Sequence, residues 1–360
     1  MKEPLLVKTY RNIEMKKSLL TLAVLAASST AMAQSSVTLY GRLDAGFGRT
    51  TTETTGAAPV ASKSQTVVNS STFRTTYWGL KGTEDLGGGL KANFNLMSAF
   101  ALDSGEGDTT GLFARTASVG LSGGFGNVML GRQYTPYYDL FGAVESINNG
   151  NASPSEKVYG LGIKQGITRA SNSIRYTSPE FSGVSASALA GLGENDQATG
   201  NLGGSATNTY SLNVIYKAGP ILVGYGYHEE KLAQNTVGAP QDKNNYNMIG
   251  GTYDFGMAKV NAGYQKVSND TGRKDKEYNL GVTVPVGSAV KVYFGYADSN
   301  TSAAGFDLNG SGYNLLATYD LSKRTYLYTS YDRTSIEKGV VGAISTDVAS
   351  RLIAGVVHLF

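Results

Sequence analysis

The sequence predicts an all-β fold, a transmembrane antiparallel β-barrel of about sixteen strands with short turns at one end and long loops at the other. Three observations carry this expectation. Segments of roughly nine to eleven residues alternate apolar and polar side chains, which exceeds the usual strand and suits a tilted strand crossing hydrocarbon. Gly-rich turns alternate with longer polar connections, at a spacing of roughly 30 to 40 residues from turn to turn. The chain also ends on "RLIAGVVHLF", an alternating apolar strand where chain ends are usually polar and frayed.

The start of the chain has a different character. From Met15 it reads "MKKSLLTLAVLAASSTAMAQ", with basic Lys16 and Lys17, an apolar run from Leu19 to Ala27, and Ala31-Met32-Ala33 before Gln34. This is the pattern of a secretory signal peptide with cleavage after Ala33, its apolar run too short to span a bilayer. Residues 1–33 are therefore expected to form a leader and residues 34–360 a single barrel domain. The leader takes five of the 31 basic and two of the 28 acidic residues, leaving 26 of each. A balance near zero implies no nucleic-acid partner. The chain has no cysteine, which excludes a disulfide scaffold. Its 46 glycines and 23 tyrosines suit many strands and turns, with aromatics at a repeated depth.

After Ala33 no apolar run approaches the length of a transmembrane helix. Alternation takes its place. Tyr210, Leu212, Val214 and Tyr216 fall opposite Ser211, Asn213 and Lys217. Tyr278, Leu280, Val282, Val284 and Val286 fall opposite Asn279, Gly281 and Thr283, and Tyr313, Leu315, Ala317 and Tyr319 opposite Asn314, Thr318 and Asp320. Short turns are expected at "EDLGGG" from Glu84, "SGGFGN" from Ser122, "SPEFSG" from Ser178, "KAGP" from Lys217, "DFGM" from Asp254, "PVGS" from Pro285 and "DLSK" from Asp320. Longer polar loops are expected from Arg49 to Ser71 and from Glu230. The last strand should pair with the first and turn Phe360, His358, Val356, Ala354 and Leu352 toward lipid. A soluble all-β array is the competing reading. The strand length, the tyrosines at both ends of the apolar faces and the polar opposite faces count against it.

Catalysis finds little material. His228 and His358 are the only histidines, so a His-based triad or a zinc site lacks its parts. An outer-membrane lipase using His228 as base would need a serine motif that the sequence does not supply. No catalytic residue, metal or cofactor is expected.

The stretches "SSVTLYGRLDAGF" from Ser35, "WGLKGTEDLGGGLKANF" from Trp78, "ASVGLSGGFGNVMLGRQYTPYYD" from Ala117 and "NSIRYTSPEFSGV" from Asn172, with the terminal Phe360, taken together resemble the general trimeric porins of betaproteobacteria, the Gram-negative porin family that includes the neisserial ones. The stretch from Ser35 is similar to the family's first strand, and that from Trp78 to its second and third. The stretch from Ala117 resembles the hairpin leading into the third loop, that from Asn172 the strand leaving it, and Phe360 the assembly signal. The resemblance implies sixteen strands, a homotrimer in the outer membrane and a third loop folded into the lumen. It also implies contact with outer-membrane lipid and lipopolysaccharide, and passage through the barrel assembly machinery. The longest polar interruption, Pro136 to about Thr168, stands where that loop belongs.

Selectivity in such a pore comes from charges facing one another across the constriction. On the loop the candidates are Asp139 and Glu145, then Glu156. On the wall, strand parity turns Arg42 and Asp44, Lys81, and Arg169 and Arg175 inward. Arg132 shares the parity of Val128 and Leu130 unless Gly131 carries a bulge, and Arg115 that of Val119 and Leu121; each belongs either to the pore wall or to the membrane rim. Tyr77 and Val357 stand where family members often carry arginine. The expected function is passive diffusion of small hydrophilic solutes and ions, with a weak lean toward anions because inward basic candidates outnumber acidic ones. A plugged structural or adhesive barrel and a substrate-specific channel are the alternatives.

Overall fold

A computed structural model of the chain describes residues 36–56, 60–148, 150–161, 163, 167–193, 208–232, 242–303, 306–340 and 343–360, and the expected leader lies outside them. The strands are β1 (Ser36–Gly56), β2 (Ala61–Ser70), β3 (Tyr77–Gly87), β4 (Leu90–Ala99), β5 (Thr116–Gly123), β6 (Gly126–Tyr134), β7 (Arg169–Thr177), β8 (Val184–Gly191) and β9 (Asn208–Ala218). They continue as β10 (Ile221–Lys231), β11 (Lys243–Asp254), β12 (Lys259–Asn269), β13 (Lys274–Val286), β14 (Val290–Ala303), β15 (Phe306–Asp320), β16 (Thr325–Val340) and β17 (Ala343–Leu359).

β1 has two partners on one edge. Its first half pairs with β3, from Ser36 opposite Thr83 to Arg42 opposite Tyr77, and its second half pairs with β2, from Ala45 opposite Ser70 to Thr54 opposite Ala61. β2 and β3 are thus two halves of one stave, and the segments build a closed antiparallel barrel of 16 strands. The other edge of β1 pairs with β17, and Gly41 and Phe360 exchange backbone hydrogen bonds of 3.1 and 3.2 Å at the seam. Closure leaves no edge for lipid to meet. All seven expected short turns connect paired strands at the end of the barrel where Phe360 lies.

The faces fall as the alternation requires. Tyr210, Leu212, Val214 and Tyr216 are exposed outward while Ser211 and Asn213 are buried inward, and Leu352 and Val356 point out while Ile353 and Val357 are buried. Strand length departs from the sequence expectation. β1 runs 21 residues, β16 16 and β17 17, because pairing continues beyond the hydrocarbon. For the same reason the polar stretch from Arg49 is largely a hairpin rather than a loop, its threonines pairing with β2 on one side and β17 on the other.

The lumen is not purely polar, and its apolar part decides where the third loop lies. Helix α1 (Pro136–Ala143) begins with Thr135, whose Oγ1 accepts from Tyr138 N at 3.2 Å ahead of a proline at the first helical position. Helix α2 (Pro154–Val158) repeats the device with Ser153 and Pro154. Tyr137, Leu140, Phe141, Val144, Val158 and Tyr159 pack on Tyr246, Met248, Val267 and Ala297 of the wall. Each such side chain contributes about 1.5–3 kcal/mol when taken from water. Glycines of the wall make room for them: a Cβ on Gly250 would stand 3.0 Å from Val144, on Gly312 3.0 Å from Val158, and on Gly310 2.7 Å from Leu161. Asn261 and Asn279 then donate to the Val144 carbonyl at 2.9 and 2.8 Å, fixing the end of α1.

Candidate functional site

Six charged residues that face the lumen are brought together from five places in the chain. Arg42 from β1, Arg74 from the break between β2 and β3, Arg115 from the approach to β5, Arg169 from β7, and Asp139 and Glu156 from the third loop line one cavity of about 450 Å³. Tyr134 and Tyr138 line it as well.

Arg74 reaches the cavity because the second stave is interrupted. Asp44, fully buried on the inward face of β1, accepts from the backbone N–H groups of Phe73 (2.8 Å) and Arg74 and from the Tyr328 hydroxyl (2.7 Å). Residues 71–76 fold inward around this carboxylate, with Ser71 in the left-handed region at φ 57°. Phe73 packs against Ile147, Leu316, Tyr328, Ile353 and Val357, and Arg74 Nη1 donates to the Asn148 carbonyl at 2.8 Å. The inward fold of stave two and the third loop therefore support each other. Arg42 donates to the Thr75 carbonyl at 2.9 Å, and its guanidinium lies 5.0 Å from the Tyr77 ring centroid.

On the loop side, Asp139 pairs with Arg175 at 2.6 Å, and Glu156 accepts from the Tyr138 hydroxyl at 2.6 Å. Both residues are exposed to the lumen, yet the barrel encloses them. Burial raises the Asp139 carboxyl above its ordinary range against the pull of Arg175, and raises that of Glu156 against Tyr138 and Arg169. Lys157 shares the Asp332 carboxylate with Arg351, and burial followed by the charge of Arg351 lowers its pKa to about 8.

The structure sorts the sequence candidates. Arg42, Arg115, Arg169, Asp139 and Glu156 share the cavity, and Arg175 reaches it through Asp139. The parity conflict at Arg115 disappears because β5 starts only at Thr116. Gly131 does adopt φ 118° beside a register shift, but Arg132 stays opposite Ala117 and donates to the Ala114 carbonyl and to Ser171 Oγ at 2.7 Å, so it does not line the cavity. Glu145 is buried within the loop, where it accepts from Ser153 Oγ; it braces α2 and borders a separate space near Lys259. Lys81 faces a separate cavity nearer the short turns, with Thr38, Asn95 and Met129, its Nζ 4.9 Å from the Tyr40 ring centroid. Arg74 was missed because it lies in an interruption where no alternation predicts facing. Tyr134 stands in the quoted "GRQYTPYYD" as an aromatic among others, with nothing in its spacing to mark it.

A closed 16-strand barrel with an apolar outer wall, a polar lumen and an inward-folded loop narrowing that lumen defines a channel protein of the outer membrane. Residues 20–339 match the family model described as Gram-negative porin, and the chain belongs to that family. It is 36% identical over 330 residues to outer membrane porin protein 32 of Delftia acidovorans, covering 87% of this chain and 88% of the relative. It is 29% identical to the major outer membrane protein P.IB of Neisseria meningitidis serogroup B, covering 92% and 97%. Among solved structures it is similar to the anion-selective porin from Comamonas acidovorans, with a TM-score of 0.74, 28% identity and coverage of 91% and 100%. It shares the fold of OmpT of Vibrio cholerae, described in trimer form, at a TM-score of 0.63, 17% identity and coverage of 89% and 99%. The protein is a passive diffusion porin of the outer membrane.

Proposed function

We propose that this porin works as a homotrimer whose pores prefer small hydrophilic anions and that it catalyses no reaction. One observation carries the preference: four arginines, Arg42, Arg74, Arg115 and Arg169, line the cavity against two carboxylates, Asp139 and Glu156, while Arg175 offsets Asp139. Such an imbalance in an aqueous channel with low-dielectric walls raises the local anion concentration and leaves cations a barrier. The anion-selective porin from Comamonas acidovorans supports the same reading by similarity. In this reading Phe360 serves as the assembly signal for the barrel assembly machinery, and the outer wall meets lipid and lipopolysaccharide. The Phe360 ring packs over Gly41, where any Cβ would collide with it, so this pair of residues keys the seam.

The test is single-channel recording of the refolded protein, with the reversal potential read across a potassium chloride gradient. Openings that close in three steps with a potential of anion sign are expected. A potential of cation sign would sink the anion reading, a silent barrel would favour the plugged alternative, and single-step closure would argue against the trimer.

A further inference from the structure

The hydroxyl of Tyr134 ties the basic wall together. Its oxygen accepts from Arg115 Nη2 at 2.7 Å and from Arg169 Nη2 at 2.5 Å, so one phenol joins two like charges that otherwise repel. The ring itself is fixed. The Arg169 guanidinium lies 4.2 Å from its centroid, Tyr138 stacks on it at 5.7 Å and 4°, and Phe141 stacks on Tyr138 at 5.8 Å and 16°. Because Tyr138 also donates to Glu156, the stack runs from the arginine wall to the acidic loop. With both acceptor positions of the phenol oxygen occupied, its own proton must leave in the remaining direction, and among the described residues nothing accepts it. The Nε–H groups of Arg115 and Arg169 are likewise buried without a protein acceptor among the described residues. All three residues line the cavity.

We propose that Tyr134 is a specificity-determining residue of the pore: it clamps Arg115 and Arg169 side by side and presents its O–H to a passing oxyanion as a further donor. The proposal rests on the anion-preferring reading above and deepens it. Removing the phenol oxygen leaves every formal charge in place, so a pore governed by charge number alone would not notice.

Wild type and Tyr134→Phe are compared in planar bilayers by two readouts, the reversal potential in potassium chloride and the inorganic phosphate concentration that halves the chloride current. Phenylalanine keeps the ring stack. The half-blocking phosphate concentration is expected to rise about three- to tenfold, the worth of one ordinary hydrogen bond, and the potential to move toward cations. In an Arg115→Gln/Arg169→Gln background the same substitution should have much less effect on either. Equal readouts for wild type and Tyr134→Phe would overturn the proposal, as would an undiminished effect in that background. A wild-type potential of cation sign would remove the anion reading alone, since the difference between the two proteins still measures the clamp. If Tyr134→Phe does not refold, Arg169→Gln and Arg42→Gln remove one charge each, but only the first releases Arg115; equal shifts from these two would also overturn the clamp.

Discussion

Arg175 of β7 and Asp139 of α1 form a 2.6 Å ion pair that joins the lumen wall to the third loop. The Asp139 side chain is 40% exposed, so the pair itself contributes little, about 1 kcal/mol at most. The packing of Tyr137, Leu140, Phe141 and Val144 on the wall outweighs it. Breaking the pair should therefore change selectivity without moving the loop. Asp139→Asn is expected to shift the reversal potential toward anions and Arg175→Gln toward cations, each with conductance close to wild type. Shifts of the same sign would show that the pair acts through loop position instead.

Acidification should increase anion preference. Enclosure raises the carboxyls of Asp139 and Glu156 above their ordinary range, so they take up protons at a higher pH than free carboxylates, which titrate near pH ~4. As pH falls through those raised values the cavity loses negative charge while its arginines stay charged. A reversal-potential series from neutral pH downward checks this, and Asp139→Asn/Glu156→Gln should flatten it.

Alkali should act in the opposite sense through Lys157. With its pKa lowered to about 8, this lysine sheds its proton as pH rises through that value, and the loop loses a positive charge. Anion preference is expected to fall between neutral pH and about pH 9. Lys157→Arg, whose guanidinium stays charged there, should abolish the step. A step that survives the substitution would assign it to another group.

The wall glycines under the third loop are a steric fit. Gly250→Leu should drive its side chain into Val144, lift the end of α1 from the wall and narrow the pore. Overpacking of this kind costs about 1–3 kcal/mol, a small part of the stability of a closed barrel. The expected result is a folded protein with reduced single-channel conductance, and unchanged conductance would argue against this docking.

Asp44→Ala removes the acceptor around which residues 71–76 fold. The backbone N–H groups of Phe73 and Arg74 and the Tyr328 hydroxyl lose a shared partner, at about 1–3 kcal/mol for each group left buried and unpaired. Arg74 should then become mobile, giving noisier openings and a weaker anion preference. Quiet recordings with wild-type selectivity would show that Asp44 does not position Arg74.

Much of the barrel was legible in the sequence. The facing of Tyr210, Leu212 and Val214 against Ser211 and Asn213 and the seven short turns follow from local chemistry, and the pairing of the last strand with the first from the need to leave no open edge. The site was legible in part. Arg42, Asp139, Glu156 and Arg169 came from parity and loop position, whereas Glu145, one residue type on the same loop, turned inward to brace Ser153. Arg132 was assignable only once the register at Gly131 was known, and Arg74 had no periodic signal at all.

The division has a physical cause. Alternation of side chains is a property of the extended backbone, repeating every two residues, so the sequence by itself determined strands with an apolar outward face and a mainly polar inward face. Which charges share the cavity depends on contacts between residues far apart in the chain: Asp44 with Arg74, Val144 with the wall glycines, Tyr134 with Arg115 and Arg169. Those contacts come from a loop packing on a wall and a stave breaking inward, neither of which has a period, and only the tertiary structure decided them.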